Sequence, residues 1–210
     1  MKAIIFSLLG WMFLPVMDGF AKFLSTDLPI LQITWARYFF TVVFTLPIMF
    51  FFFNKQIVWS DKPKLQILRG LILLAANICF FYSISIISLA KALTLAFIAP
   101  LIVTAFSPLF LGEKVGIRRW TAVIIGFIGS LVVIRPGFLE LNIASLSALC
   151  TGFFYGFYLI ITRKLSKSAN PLLTLLMTGL VGAILVSLVI PFYWVKPTLN
   201  QWSLMAGIGV

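Results

Sequence analysis

The sequence predicts an all-α polytopic membrane protein, a bundle of transmembrane helices. Three observations carry that reading. Hydrophobic residues make up 62% of the 210 residues and charged residues 10%, against roughly 45–50% and about 25% in a soluble domain. So few polar groups cannot cover a water-facing surface, so lipid must be the solvent. Apolar runs of about 20 residues, the length that crosses the hydrocarbon core as a helix, recur from end to end. Finally, Trp11, Trp35, Trp59, Trp120, Trp194 and Trp202 stand mostly near the ends of those runs, as an interfacial aromatic belt does.

The runs fall at 3–24, 31–53, 65–87, 89–111, 120–134, 143–161 and 172–194, and an eighth opens near Trp202. The first starts "MKAIIFSLLGWMF", basic and then apolar like a signal peptide. It continues too far and meets no small-x-small cleavage site, so it is expected to be retained as a span. The fifth is short, but "RRWTAVIIGFIGSLVVIRPG" gives it clean basic edges. The chain stops at "QWSLMAGIGV", which opens a further run, and this predicts a fragment or an early termination.

The formal net charge is +11. In a soluble chain that would suggest nucleic acid. Here the cations sit in gaps between spans, where they set topology and touch anionic headgroups, and nucleic-acid binding is not expected. With a cytoplasmic N-terminus, 11 cations are inside: Lys2, Lys55, Lys62, Lys64, Arg69, Lys114, Arg118, Arg119, Arg163, Lys164 and Lys167. Lys22, Lys91, Arg135 and Lys196 are outside, and Arg37 lies within the second run. This bias predicts a multi-pass cell-membrane protein with its N-terminus inside.

Several function classes drop out. There is no histidine, the commonest general base and metal ligand. No paired carboxylates, phosphate loop or metal-ligand cluster occurs, so neither enzyme activity nor a metal or other cofactor is expected. Cys79 and Cys150 each lie inside an apolar run and read as small buried hydrophobes.

"KFLSTDLPILQ" from Lys22 is similar to "RKLSKSANPLLT" from Arg163. Both carry a basic residue, then Leu-Ser, then Pro followed by aliphatics, and both join two runs. They lie five spans apart, and an odd offset inverts the second copy in the membrane. Inverted repeats of this kind mark secondary transporters.

The stretch 68–137 resembles the EamA-type transporters of the drug/metabolite transporter superfamily. The marks are Arg69-Gly70 opening the third span, "YSISIISLAKAL", Pro100 mid-span, "LGEKVGIRRW" and "GFIGSLVVIRPG"; "GFAK…ITWARYFF" is similar to the family's first two spans. "MDGFAKFL…ARYFF" is similar to the subgroup that includes S-adenosylmethionine uptake carriers. The resemblance implies ten spans in two inverted five-helix repeats, with 3–137 the first and 143–210 part of the second, seven to eight spans being present. It implies movement of small metabolites as a secondary carrier. The alternative is a non-transporting membrane anchor, a truncated remnant or a partner-dependent half-transporter.

Seven residues are candidates for the solute path. Asp18 lies about six residues from the outer end of span one, roughly 9 Å deep at about 1.5 Å per residue. Arg37 is at similar depth in span two. Charges so placed pair or face a cavity, so Arg37 is expected as the deep partner of Asp18 and Lys22, at i+4, as a secondary one. Lys91, at the outer start of span four, joins this layer, which predicts an outward half receiving an anionic or zwitterionic solute. Pro100 removes a backbone bond in mid-span and is expected to kink span four. Tyr82 and Tyr155 offer aromatic faces with a hydroxyl. Gly152 and Gly156, with Gly126 and Gly129, predict close helix packing, a homodimer face being the lesser alternative. Glu113 is expected in a solvated cluster with Lys114, Arg118 and Arg119, and Pro108 is expected to be structural.

Overall fold

In the computed structural model, residues 14–52, 62–134, 142–166 and 170–209 are described. The first half of run one, Lys55, Trp59, Arg135 and Lys167 lie outside them. The described chain is helical throughout. Helix α1 spans residues 14–24, followed by α2 (Ile30–Phe52), α3 (Pro63–Ile86), α4 (Leu89–Ala96), α5 (Ala99–Leu111), α6 (Ile117–Ile134), α7 (Ile143–Leu165) and α8 (Pro171–Val189). A 3-10 turn at Ile190–Tyr193 and α9 (Leu199–Ile208) complete it. Five stretches among the described residues are long and apolar enough to cross a membrane: Ile30–Phe51, Pro63–Ile86, Leu89–Leu111, Ile143–Leu165 and Pro171–Tyr193.

Helix ends follow local chemistry. The first four N–H groups of a helix have no internal acceptor, so a side-chain oxygen or a proline at the start satisfies or removes them. Asn142 accepts from Ser145 N at 2.9 Å, Asn170 accepts from Leu172 N at 2.9 Å, and Pro63 and Pro171 stand at the first helical positions. Thr198 and Gln201 form a reciprocal capping box. Gly112 ends α5 at φ 67°, a left-handed conformation that only glycine adopts without strain.

Helix α3 is central, packed against α2, α7 and α8, while α5 packs on α7 and α2 on α8. Its buried residues include Phe80, Phe81 and Ile84, in one apolar core with Ala21, Leu24 and Ile33. Helix α6 is peripheral, and Gly126 and Gly129 face nothing within 4 Å there.

The fourth run is broken rather than bent. Helix α4 stops at Ala96, Phe97 and Ile98 make a turn, and α5 starts at Ala99. Pro100 has no N–H for the Ala96 carbonyl. That carbonyl instead abuts Gly152 of α7, where a Cβ would stand 2.6 Å from its oxygen. At Gly156 a Cβ would stand 2.7 Å from Ile102 Cγ2. The two glycines are therefore occupied by an intramolecular crossing.

Candidate functional site

A cavity of about 770 Å³ lies between α1, α2 and α8, closed by Gly207–Gly209 of α9 and reached by Leu73 and Tyr158. Its lining is mostly apolar, from Leu14 and Met17 of α1, Phe44 and Ile48 of α2, and Leu172 and Leu175 of α8. Polar atoms come from Arg37, Tyr38, Thr41, Thr45, Tyr158 and Thr178. That size and composition suit a small organic molecule, since such sites are concave, apolar and carry few polar groups.

The residues singled out from sequence separate here. Arg37 is in the cavity wall, its guanidinium 6.0 Å over the Phe81 ring. Asp18 lies within its electrostatic reach. The direct contact expected between them is not made: among the described residues, ion pairs within 4 Å occur only at Glu113. Lys22 does not turn to Asp18 either. Its ammonium donates to the carbonyls of Ile84 and Ile87, the latter at 3.3 Å. The last carbonyls of a helix lack internal donors and form its negative end, so α3's C-terminus outcompetes a carboxylate one turn away. Lys91 is partly buried near the Ser88 cap, its backbone N–H 3.4 Å from Ser88 Oγ. The four-residue layer is therefore not assembled, and the cavity extends from Arg37 toward the opposite end of the bundle, where α3 begins and α7 ends.

Tyr155 stacks on Tyr158 with ring centroids 5.5 Å apart, so it backs a cavity residue. Tyr82 is partly buried, its carbonyl accepting from Ser85 Oγ, and does not line the cavity. Pro100 is exposed, away from it. Glu113 departs from its expected cluster: it pairs with Arg163 of α7 at 2.8 Å, and with Arg119 only at 4.0 Å.

Arg69, expected as a loop cation, is 5% exposed. Its Nε donates to Thr162 Oγ1 at 2.7 Å. Nη1 donates to Thr174 O at 3.0 Å and Thr178 Oγ1 at 2.5 Å, and Nη2 to Tyr158 OH at 2.7 Å. The guanidinium also sits 4.5 Å over the Tyr158 ring. Every one of these partners is neutral. Eight residues on, Asn77 Nδ2 donates to Tyr38 OH at 2.7 Å, and the Tyr38 ring lies flat against Gly182, where no side chain intervenes. Three residues before Arg69, Gln66 Nε2 donates to Thr174 Oγ1 at 3.1 Å.

These residues were missed, yet a signal existed. Gln66, Arg69 and Asn77 repeat at helical spacing, Tyr158 and Thr162 are four apart, and so are Thr174 and Thr178. Three polar stripes on apolar helices imply mutual satisfaction inside a bundle, because lipid offers a polar group no partner. Among the described residues, no three His, Cys, Asp or Glu side chains are placed to hold a metal ion.

Residues 1–135 match the model of the EamA-like transporter family. The chain is 26% identical over 206 residues to an S-adenosylmethionine uptake transporter of Rickettsia bellii, covering 96% of this chain and 70% of that protein. It is 25% identical to a riboflavin transporter of Vibrio cholerae, covering 93% and 67%. It is 28% identical to the pseudopaline exporter CntI of Pseudomonas aeruginosa, covering 93% and 69%. A solved crystal structure shares the fold with a TM-score of 0.67 at 17% identity, covering 92% of this chain and 72% of that one.

Proposed function

The chain belongs to the EamA-like transporter family and is a membrane transporter of small metabolites, and we propose that its solute occupies the cavity walled by Arg37, Tyr38 and Tyr158. The observation that supports this is Arg37 itself. It is the charged residue in a mostly apolar wall, with no carboxylate within 4 Å among the described residues. A charge in the membrane interior is costly and usually faces a partner or a pathway. The solute that compensates Arg37 is anionic or zwitterionic, with Asp18 close enough to favour a nearby ammonium. Transport is secondary, through two inverted five-helix repeats, 3–137 and 143–210 being the first repeat and part of the second. The N-terminus is cytoplasmic, so the cavity belongs to the inner half.

The test is transport by cells expressing the protein, with S-adenosylmethionine, riboflavin and the amino acids as solutes. Transport of at least one is expected above control cells, and Arg37→Gln should lose it per inserted molecule. Equal transport by that variant would remove Arg37 from the path. A cysteine at Ser166 should be shielded from impermeant thiol reagents in intact cells; labelling there reverses the topology.

A further inference from the structure

We propose that Tyr38 and Tyr158 together with Arg37 form a donor-only pole that binds a carboxylate of the solute, and that α3 fixes this polarity from behind. The inference rests on the cavity being the solute site and deepens it by naming the group recognised.

A guanidinium has donors and no acceptor, so the 2.7 Å contact between Arg69 Nη2 and Tyr158 OH has one direction: Arg69 donates and the phenol oxygen accepts. The phenol's own proton must then point elsewhere. Tyr158 lines the cavity, and its O–H has no acceptor among the described residues. Asn77 Nδ2 donates to Tyr38 OH, and Tyr38 also lines the cavity. Tyr38 and Tyr158 lie within each other's electrostatic reach, and Tyr38 within that of Arg37 and Arg69.

Two neighbouring hydroxyls behave differently. Thr41 Oγ1 is 2.7 Å from Arg37 O and 3.1 Å from Gly209 O, with both carbonyls as its acceptors. Thr178 Oγ1 donates to Thr174 O at 2.8 Å. Their protons are engaged, whereas those of the two tyrosines are not. Two free phenol donors and a guanidinium in the wall of one cavity suit a group that only accepts. An ionised carboxylate does so through two oxygens, and bonds to it are stronger than bonds to a neutral acceptor. A primary amide of the same shape offers one neutral acceptor oxygen in place of two charged ones, so it gains less from these donors.

Arg69 and Asn77 are thus positioning residues. They do not touch the solute; they decide which way the hydroxyls point.

The experiment uses the protein in nanodiscs and measures binding of radiolabelled benzoate and benzamide, an acid and amide of nearly equal shape. Benzoate should bind about tenfold more tightly, the scale of a hydrogen bond to a charged group. Tyr158→Phe and Tyr38→Phe should each erode that preference by several-fold, weakening benzoate more than benzamide, whose carbonyl accepts from the same phenols less strongly. Arg69→Lys should erode it too, but add nothing in the Tyr158→Phe background, an epistasis that a purely structural role would not give. Leu175→Trp, which fills the cavity, should block both probes. Equal binding of the two, with both blocked by Leu175→Trp, overturns the donor pole and leaves the cavity reading intact. An acid preference untouched in both phenylalanine variants also overturns the pole. Binding of neither probe, or binding insensitive to Leu175→Trp, overturns the cavity reading and the pole with it.

Discussion

Gly152→Ala tests the broken fourth span. The added methyl would stand 2.6 Å from the Ala96 carbonyl oxygen, and closer still to Ile98 Cγ2. A carbon and a carbonyl oxygen rest at about 3.3–3.6 Å, so roughly 0.7 Å must be found. A backbone oxygen at a proline-fixed break cannot swing aside as a side chain does, so α7 as a whole must retreat. Such overpacking costs about 1–3 kcal/mol. Alanine recovers up to about 1 kcal/mol over glycine in a helix interior. The net expectation is a loss of up to about 2 kcal/mol.

Gly156→Ala is the internal control. Its methyl meets Ile102 Cγ2 at 2.7 Å and Ile102 Cβ at 2.8 Å, and Ala99 O only at 3.2 Å. A rotamer change moves Cγ2 but not Cβ, so α5 must also give slightly there, and a loss of about 1 kcal/mol follows, smaller than at Gly152 because no backbone oxygen is forced below 3 Å. Unfolding of both variants in detergent, followed by tryptophan fluorescence against denaturant, reads the difference. The oligomeric state on size exclusion should be unchanged, because both glycines face α4–α5 of their own chain. Equal losses, or a greater loss at Gly156, would refute the assignment of the backbone contact as the rigid one. A changed oligomeric state would refute the intramolecular crossing.

Arg69→Met should lower stability by about 1 kcal/mol, the scale of one hydrogen bond lost at a half-buried hydroxyl. Thr162 and Thr178 still donate to Tyr158 O and Thr174 O, so only the Tyr158 phenol loses its partner. Tyr158→Phe in that background should be less damaging than in the wild type, and strict additivity in the thermal melts would sink this accounting. Lys22→Met should cost about 1 kcal/mol by uncapping α3, read as faster amide exchange in its last turn; unaltered exchange would show that other donors serve those carbonyls. Glu113→Gln should change stability by no more than about 1 kcal/mol, because the Arg163 pair is solvent-exposed. A larger loss in chemical denaturation would mean that the pair is shielded from water.

The helix positions were legible because length and end chemistry act locally. The run at 31–53 became Ile30–Phe52, the run at 65–87 became Pro63–Ile86, and the seventh starts at Pro171 behind its Asn170 cap. A disturbance at Pro100 was legible for the same reason, since proline lacks a donor wherever it stands, but a kink was expected and the helix instead stops at Ala96 and restarts at Ala99. The partners of the charges were not. Sequence spacing displays an i+4 acid for Lys22 and nearby cations for Glu113. It does not display the carbonyl end of a helix more than sixty residues away, or Arg163 fifty residues away. Arg69 was misread because a cation one turn inside an apolar run resembles a topology signal. Only packing reveals that α7 and α8 close over it.

The placement of Arg69 also explains why the polar wall is built from the centre outward. A lipid-facing helix can leave its outer side apolar, whereas α3 has protein on several sides. Any polar side chain on its inner stripe must be satisfied by neighbouring helices, or it costs free energy as an unpaired buried group. Gln66 Nε2, Arg69 and Asn77 find partners on α2, α7 and α8, whereas Gln66 Oε1 and Ser83 Oγ on the same helix are buried without one among the described residues. The same Tyr38, Tyr158 and Thr178 that satisfy α3 on one side face the cavity on the other. Each is thereby held in one orientation without any α3 polar side chain entering the cavity. Changing a cavity side chain alone would alter what the wall reads; changing its α3 partner would alter how firmly, and in which direction, it reads. Solute preference in this bundle is therefore set at two depths, and only the nearer one lines the cavity.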